Sequence, residues 1–282
     1  MRRSCQTLAP ALHLRQDDRM PPSEPKAITS TKNPLLQRFR AAGTGDEEGA
    51  MLAEGAKLVA EGLDAGLEPL AALVSPRLRD EKLIERLQAC PEFATCSDEI
   101  LAKASSLETH QGVAVVFARP AWAPSDLLGR DLSPMVVAAA GVRDPGNLGA
   151  LIRTSEAAGA SGFVALAGSA DPFREKAVRG AMGSSFRLPT AAGIQPMQWI
   201  EFCRRQKLQL VVADGGGERN YLDVDWRKPS AILVGAESAG VPPELLQAAD
   251  VRVRIQIASP VESLNVAVAA GVILFEARRQ RR

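Results

Sequence analysis

Hydrophobic and polar positions alternate between two periods along this chain, and the pattern divides it into two halves. From Ile28 to about Ala118 short helical stretches and short apolar runs take turns. Residues 34–42 predict a helix after Asn33-Pro34. AMLAEG leads into a helix over AKLVAEGLDAG, with Gly66 as its stop. PLAALVS predicts a strand, RDEKLIERLQAC a helix and GVAVVFA a strand. This is a small α/β unit. RPAWAPSDLLGRDLSP follows, broken by Pro120, Pro124, Pro134 and Gly129, and predicts a linker over 119–133.

From Met135 the alternation resumes with longer apolar runs. MVVAAAGV, GFVALAG, FRLPTAA, LQLVVAD, SAILVG and VRVRIQI predict strands. LGALIRTSEAAG, PFREKAVRGAMG, PMQWIEFCRRQ, PPELLQAA and SLNVAVAAGVILFEARRQ predict helices. Near-continuous apolar strands separated by helices imply a mostly parallel sheet covered on both faces. In such sheets ligands sit outside the carboxyl ends of the strands, so the loops after 142, 213, 235 and 257 are where chemistry is expected. The last helix is apolar on most sides, through Val266, Val268, Val272, Ile273, Leu274 and Phe275. It must therefore be buried on several faces, in the core or against a second copy.

Composition narrows the classes. Of 282 residues, 46% are hydrophobic and 24% charged, an ordinary balance for a globular protein. The longest apolar run, near 264–275, is too short and Ala-rich for a membrane span and ends in EARRQRR. Net charge is +1, with Lys and Arg in slight excess in the second half, a mild pointer to an anionic ligand. The first 26 residues lack the apolar core of a secretion signal and predict a disordered tail, in which Met20 is an alternative start. The four cysteines, at 5, 90, 96 and 203, show no CxxC and no zinc spacing, which implies free thiols in a reducing, cytoplasmic setting and no metal site. Only His13 and His110 are available, so a catalytic triad built on histidine is nearly excluded.

Three loops in the second half carry candidate chemistry. In GVRDPGNLGALIR, Asp144-Pro145-Gly146 makes a turn, Asn147 is placed to cap the helix, Gly149 allows a close backbone approach, and Arg153 lies about two turns in. By themselves these residues equally suit an ordinary βα turn with a surface arginine. LVGAESAGVPPELL places Gly235, Glu237 and Gly240 between a strand and a helix opened by Pro242-Pro243, where main chain can approach a ligand. In RIQIASPVESLNVAVA, Ser263 can cap a helix starting at Leu264, and Asn265 falls in its first turn. Capping accounts for Ser263 but not for Asn265.

Taken together, and in this order and spacing, the three loops resemble the motifs of the SpoU (TrmH-type) RNA 2′-O-ribose methyltransferases over about 150 residues. ITSTKNPLLQRFR, AMLAEGAKLVAEGLDAG and THQGVAVV resemble the RNA-substrate-binding domain that precedes the catalytic domain in many members. The resemblance implies an α/β sheet whose C-terminal segment forms a deep trefoil knot over 134–282, behind a substrate-binding domain over 27–118. Threaded connections are rare, and nothing in the periodicity points to this one. It implies S-adenosyl-L-methionine held by Val234, Gly235, Gly240, Ile255, Ile257 and Leu264. It also implies a homodimer with its site near the interface, and RNA as partner, ribosomal RNA before transfer RNA. Arg153 would grip the acceptor phosphate and assist the hydroxyl. Asn147 would hold Arg153 or the ribose, Ser263 and Asn265 would bond in the acceptor pocket, and Glu237 would orient the loop. His110 is expected to be structural. Two positions depart from the family pattern: Gln256 stands where proline is usual, and Ala181 where serine is usual. Two other readings are a non-catalytic RNA-binding protein on the same fold and a nucleotide-dependent enzyme using GGGER, which no lysine follows in P-loop spacing.

Overall fold

The computed structural model describes residues 26–105, 107, 109–130, 132–236 and 240–282. The first half contains β1 (Lys26–Ile28), α1 (Pro34–Thr44), β2 (Ala50–Glu54), α2 (Ala56–Asp64), β3 (Pro69–Val74), α3 (Glu81–Leu87), β4 (Glu92–Cys96), α4 (Asp98–Ala104) and β5 (Val113–Ala118). Caps set its helix starts. Asn33, Asp80 and Ser97 accept backbone N–H groups at α1, α3 and α4, and Pro34 opens α1 where a missing N–H costs nothing. The sheet order is β1-β4-β3-β5-β2, with β5 antiparallel to both neighbours. The apolar pattern alone gives two of these strands. It misses β1 and β4, which are short, and takes β2 as the approach to α2, because a five-residue buried run has no period of its own.

The second half contains β6 (Met135–Ala140), α5 (Pro145–Ala158), β7 (Gly162–Leu166), α6 (Glu175–Ala181), α7 (Ser184–Arg187), β8 (Thr190–Ile194), α8 (Pro196–Arg205), β9 (Gln209–Ala213), β10 (Arg219–Asn220), β11 (Ser230–Gly235), α9 (Pro243–Ala248), β12 (Val251–Arg254) and α10 (Val266–Gln280). Its strands run in the order β10-β12-β9-β11-β6-β7-β8, every pairing parallel. Val137, Ala139 and Ile232 face α5 and α10 on one side of the sheet. Val136, Ala138 and Leu233 face α8 and α9 on the other, where Trp199 stacks on Phe202. The chain leaves β6 toward β7 on one side, while β11 pairs with it on the other. The loops after β6 and β11 therefore diverge and open a crevice at the carboxyl edge.

Several boundaries differ from the pattern. The segment expected as one strand, FRLPTAA, is split: Phe186 and Arg187 close α7, and β8 starts only at Thr190, after Pro189. The helix expected from Pro172 begins at Glu175 and breaks at Met182-Gly183, both at positive φ (48° and 82°). The proline-rich stretch expected as a linker is pinned to the domain. Arg119 pairs with Asp171 at 3.0 Å and lies over Phe173. The Leu127 carbonyl accepts from Ser161 Oγ at 2.8 Å, and a side chain on Gly162 would collide with the Leu127 backbone. One apolar cluster spans both halves, Met51, Ala53 and Phe117 packing with Phe173, Val178 and Phe186.

Candidate active site

Helix α5 brings the first loop into position. The sequence suggests Asn147 as its N-cap. The cap is instead Asp144, whose Oδ1 accepts the Asn147 N–H at 2.8 Å, with Pro145 as the first helical residue. Aspartate wins because Pro145 cannot donate and fits the first helical position, which moves the cap three residues upstream. Lys176 of α6 bonds the other oxygen of Asp144 at 2.7 Å. That bond, with the Asn147 N–H, holds this carboxyl below the usual carboxylate range. Asn147 lines the crevice, together with Gly141, Val142, Asp144, Gly240 and Pro242 among others.

Gly149 makes the close approach that its position suggested. A side chain there would meet the Ala177 carbonyl and lie 2.9 Å from the Ala181 nitrogen, so α5 and α6 touch backbone to backbone. Ala181 is wholly buried in that seam, so the departure from serine there is a packing feature.

The third loop also reassigns a cap. Helix α10 starts at Val266, and its N-cap is Asn265, whose Oδ1 accepts from Ala267 N–H at 3.0 Å and Val268 N–H at 3.3 Å. Ser263, the expected cap, sits two residues before it, exposed, on the cavity wall. With its oxygen committed to the helix, the Asn265 amide nitrogen donates to Asn147 Oδ1 at 3.0 Å. One side chain thus both caps α10 and ties the third loop to the first. Asn265→Ala is expected to cost about 1–2 kcal/mol of unfolding free energy, whereas Ser263→Ala stays within about 0.5 kcal/mol. Urea midpoints of the two variants check the difference.

Beside this contact lies a cavity at the carboxyl ends of β9, β11 and β12. Val234, Gly235, Gly240, Ile255, Ile257 and Leu264 all line it, joined by Ser263 and by the carboxylate residues Asp214 and Glu262. Gly235 is where main chain crowds most, because a Cβ would fall 2.6 Å from the Gly240 carbonyl carbon and oxygen. Gly240 donates to the Ala236 carbonyl at 2.9 Å, closing the loop on itself. Gln256 is exposed and outside the lining, between the two isoleucines that belong to it. Asp214 and Gly215 escape the motif reading. The signal for them is the end of β9 at a parallel sheet's carboxyl edge. Two arginines of β12 hold their loop: Arg252 pairs with Asp214 at 2.9 Å and with Glu218 at 3.2 Å, and Arg254 donates to the Gly217 carbonyl at 2.6 Å.

Arg153 lies apart from this group. It is exposed on α5, lines neither cavity, and forms no hydrogen bond or ion pair among the described residues. Helical geometry explains the separation, since six residues at 100° each turn Arg153 about 120° away from Asn147. Glu237 lies outside the described residues. His110 is buried in the first half, its Nδ1 accepting the Gly112 N–H at 3.2 Å and its Nε2 facing the Asp98 carbonyl at 3.0 Å. Those bonds make it a structural residue. No group of three or more His, Cys, Asp or Glu gathers as a metal set among the described residues, and no described helix is long and apolar enough to cross a membrane.

Comparison with known proteins accounts for both halves. Residues 134–275 match the model of the SpoU rRNA methylase family, and residues 36–115 match an MRM3-like substrate binding domain. An uncharacterized tRNA/rRNA methyltransferase of Synechocystis sp. is 31% identical over 92% of this chain and 96% of its own. The 23S rRNA (guanosine(2553)-2′-O)-methyltransferase of Bacillus subtilis is 30% identical over 90% of this chain and 99% of its own. Among solved structures, the AdoMet-bound rRNA methyltransferase of Sinorhizobium meliloti superposes with a TM-score of 0.81 at 33% identity, covering 91% of this chain and 98% of that one. With its three motif loops gathered at one sheet edge behind a substrate-binding domain, the chain belongs to the SpoU rRNA methylase family of RNA 2′-O-ribose methyltransferases.

Proposed function

We propose that this enzyme methylates a ribose 2′-hydroxyl of ribosomal RNA with S-adenosyl-L-methionine, working as a homodimer in the cytoplasm. The observation that carries the reading is the pairing of a nucleoside-sized, glycine-backed apolar cavity with the Asn265–Asn147 bond at its side. The donor set fits the cofactor. Val234, Ile255 and Leu264 offer apolar surface to an adenine. Gly235 and Gly240 bring main chain within reach of polar edges, and the Glu262 carboxylate suits a cationic sulfonium and ammonium. When bound, the cofactor supplies a methyl group already activated by its sulfonium charge. We read residues 255–265, between β12 and α10, as the segment that threads the knot.

The remaining work falls to this chain's own residues. The Asn265–Asn147 pair holds the two loops in register, leaving Ser263 at the wall to meet the acceptor ribose. Glu237 would orient the 235–241 loop. The guanidinium of Arg153 is a planar donor fork that matches phosphate oxygens. It is therefore assigned to grip the acceptor phosphate and stabilise charge at the hydroxyl, with direct proton abstraction the lesser role. The homodimer is supported by two features of the protomer. Val268 and Phe275 of α10 are about half exposed (54% and 50%), and Arg153 stands outside its own chain's cavity, positioned for a site completed across an interface. The buried, unpaired Cys90, Cys96 and Cys203 support a reducing compartment. Ribosomal RNA is supported by the SpoU rRNA methylase match and by the Bacillus subtilis relative.

The test incubates the protein and methyl-labelled S-adenosylmethionine separately with unmodified ribosomal RNA and with transfer RNA, and maps label by resistance to alkaline cleavage. Label at a ribose of ribosomal RNA is expected. Label in transfer RNA alone overturns the substrate, and RNA binding with no label in either favours the non-catalytic reading.

A further inference from the structure

Arg187 stands at a junction that the motifs do not include. It ends α7, the four-residue helix that follows the break at Met182-Gly183. Its guanidinium bonds both oxygens of Glu156 on α5, Nε at 2.8 Å and Nη2 at 2.9 Å, and its Nη1 reaches Glu61 Oε2 of α2 at 3.3 Å. Three helices from two domains thus meet on one side chain. Glu156 follows Arg153 by three residues, so the two share one face of α5 a single turn apart. Glu61 belongs to the substrate-binding domain.

The backbone makes room for this contact. Gly183 adopts φ 82°, and a side chain on it would run into the Glu61 carboxylate and lie 3.0 Å from Arg187 Nη1. The neighbouring Phe186 is buried and packs against Phe117 of β5 with ring centroids 6.3 Å apart, which fixes α7 on the substrate-binding domain. Side-chain exposures of 44%, 29% and 27% for Arg187, Glu156 and Glu61 mean that the ion pairs add little to stability. The bidentate fork to Glu156 fixes the guanidinium on α5, which holds its third nitrogen toward Glu61; orientation is what transfer to a single hydroxyl demands.

We propose that Arg187 is a positioning residue that locks the substrate-binding domain to the Arg153-bearing turn of α5, so that RNA held by the first domain arrives in register with the methyl-transfer site. The proposal rests on the assignment of Arg153 to the acceptor. Its observable signature is a loss in turnover rather than in cofactor binding, since no residue of the tie lines the cofactor cavity.

Glu61→Gln removes the charge of the interdomain arm and leaves the Arg187–Glu156 fork. With in vitro transcribed, unmodified ribosomal RNA as acceptor, it is expected to lower kcat about tenfold. RNA affinity by filter binding, S-adenosylmethionine affinity by calorimetry and the melting temperature should stay at wild-type values. Arg187→Lys, which keeps the charge but loses the fork, should match it. Glu61→Gln and Glu156→Gln should be non-additive in kcat, because both act through Arg187. Unchanged kcat in Glu61→Gln while Arg153→Ala is inactive overturns the tie. A loss that follows melting temperature or RNA affinity overturns it as well. A slowed Glu61→Gln beside a fully active Arg153→Ala overturns α5 as the recipient and, separately, the role given to Arg153.

Discussion

Arg153→Ala is expected to lower the rate of methyl transfer by about a hundred- to a thousandfold, the usual cost of removing one group that stabilises developing charge in a water-poor site. S-adenosylmethionine affinity should stay unchanged in calorimetry, because Arg153 is assigned to the acceptor phosphate rather than to the cofactor. Stability should hardly move, since the side chain is exposed and makes no bond among the described residues whose loss could cost anything. Arg153→Lys should recover part of the rate, because an ammonium still neutralises a phosphate but cannot form the planar bidentate fork. Single-turnover kinetics with saturating cofactor separates these outcomes. Full activity in the alanine variant would remove Arg153 from the mechanism.

Gly235→Ala should weaken S-adenosylmethionine binding about ten- to a hundredfold, with secondary structure unchanged by circular dichroism. The argument is steric. The new methyl would sit 2.6 Å from the Gly240 carbonyl and 2.7 Å from Val241 Cγ2, and the carbonyl is main chain that no rotamer change can move aside. Relief requires the Gly240–Val241 main chain to shift, and overpacking of this kind costs about 1–3 kcal/mol. Ala236, Gly240, Val241 and the end of β11 line one side of the cavity, so the cost appears where the cofactor binds. Gly240→Ala is a useful comparison. Its Cβ would meet no neighbour within 4 Å, but its φ of 66° disfavours a side chain. The two glycines should therefore fail for different reasons. At Gly235 collision with the Gly240 main chain dominates, whereas at Gly240 backbone strain dominates.

The reassigned caps show where one-dimensional reasoning stops. Pro145 ranks Asp144 over Asn147 locally, whereas nothing local ranks Ser263 against Asn265. Contacts far along the chain reinforce the first choice and decide the second. Asn265 gains a bond to Asn147, 118 positions away, and Asp144 gains one to Lys176 of α6. A cap that also bonds a distant side chain outcompetes one that serves only its own helix.

The alternation of apolar runs and helical stripes was enough to establish two α/β units, a parallel sheet in the second and the loops at its carboxyl edge as the place for chemistry. These follow from local propensity and from burial on two sheet faces, which each segment carries in its own residues. The spacing of Asn147, Arg153, Gly235, Gly240, Ser263 and Asn265 also identified the family, because motif order survives in one dimension. Tertiary structure alone decided that Asn265 joins two loops, that Asp214 shares the cavity wall and that Arg153 points away from its own chain's pocket. It also decided that one guanidinium, that of Arg187, reaches both Glu156 of α5 and Glu61 of the substrate-binding domain. Each of these depends on which distant backbones meet and on the angle at which a helix presents its side chains. That information belongs to the packing of segments against one another, and no segment contains it alone.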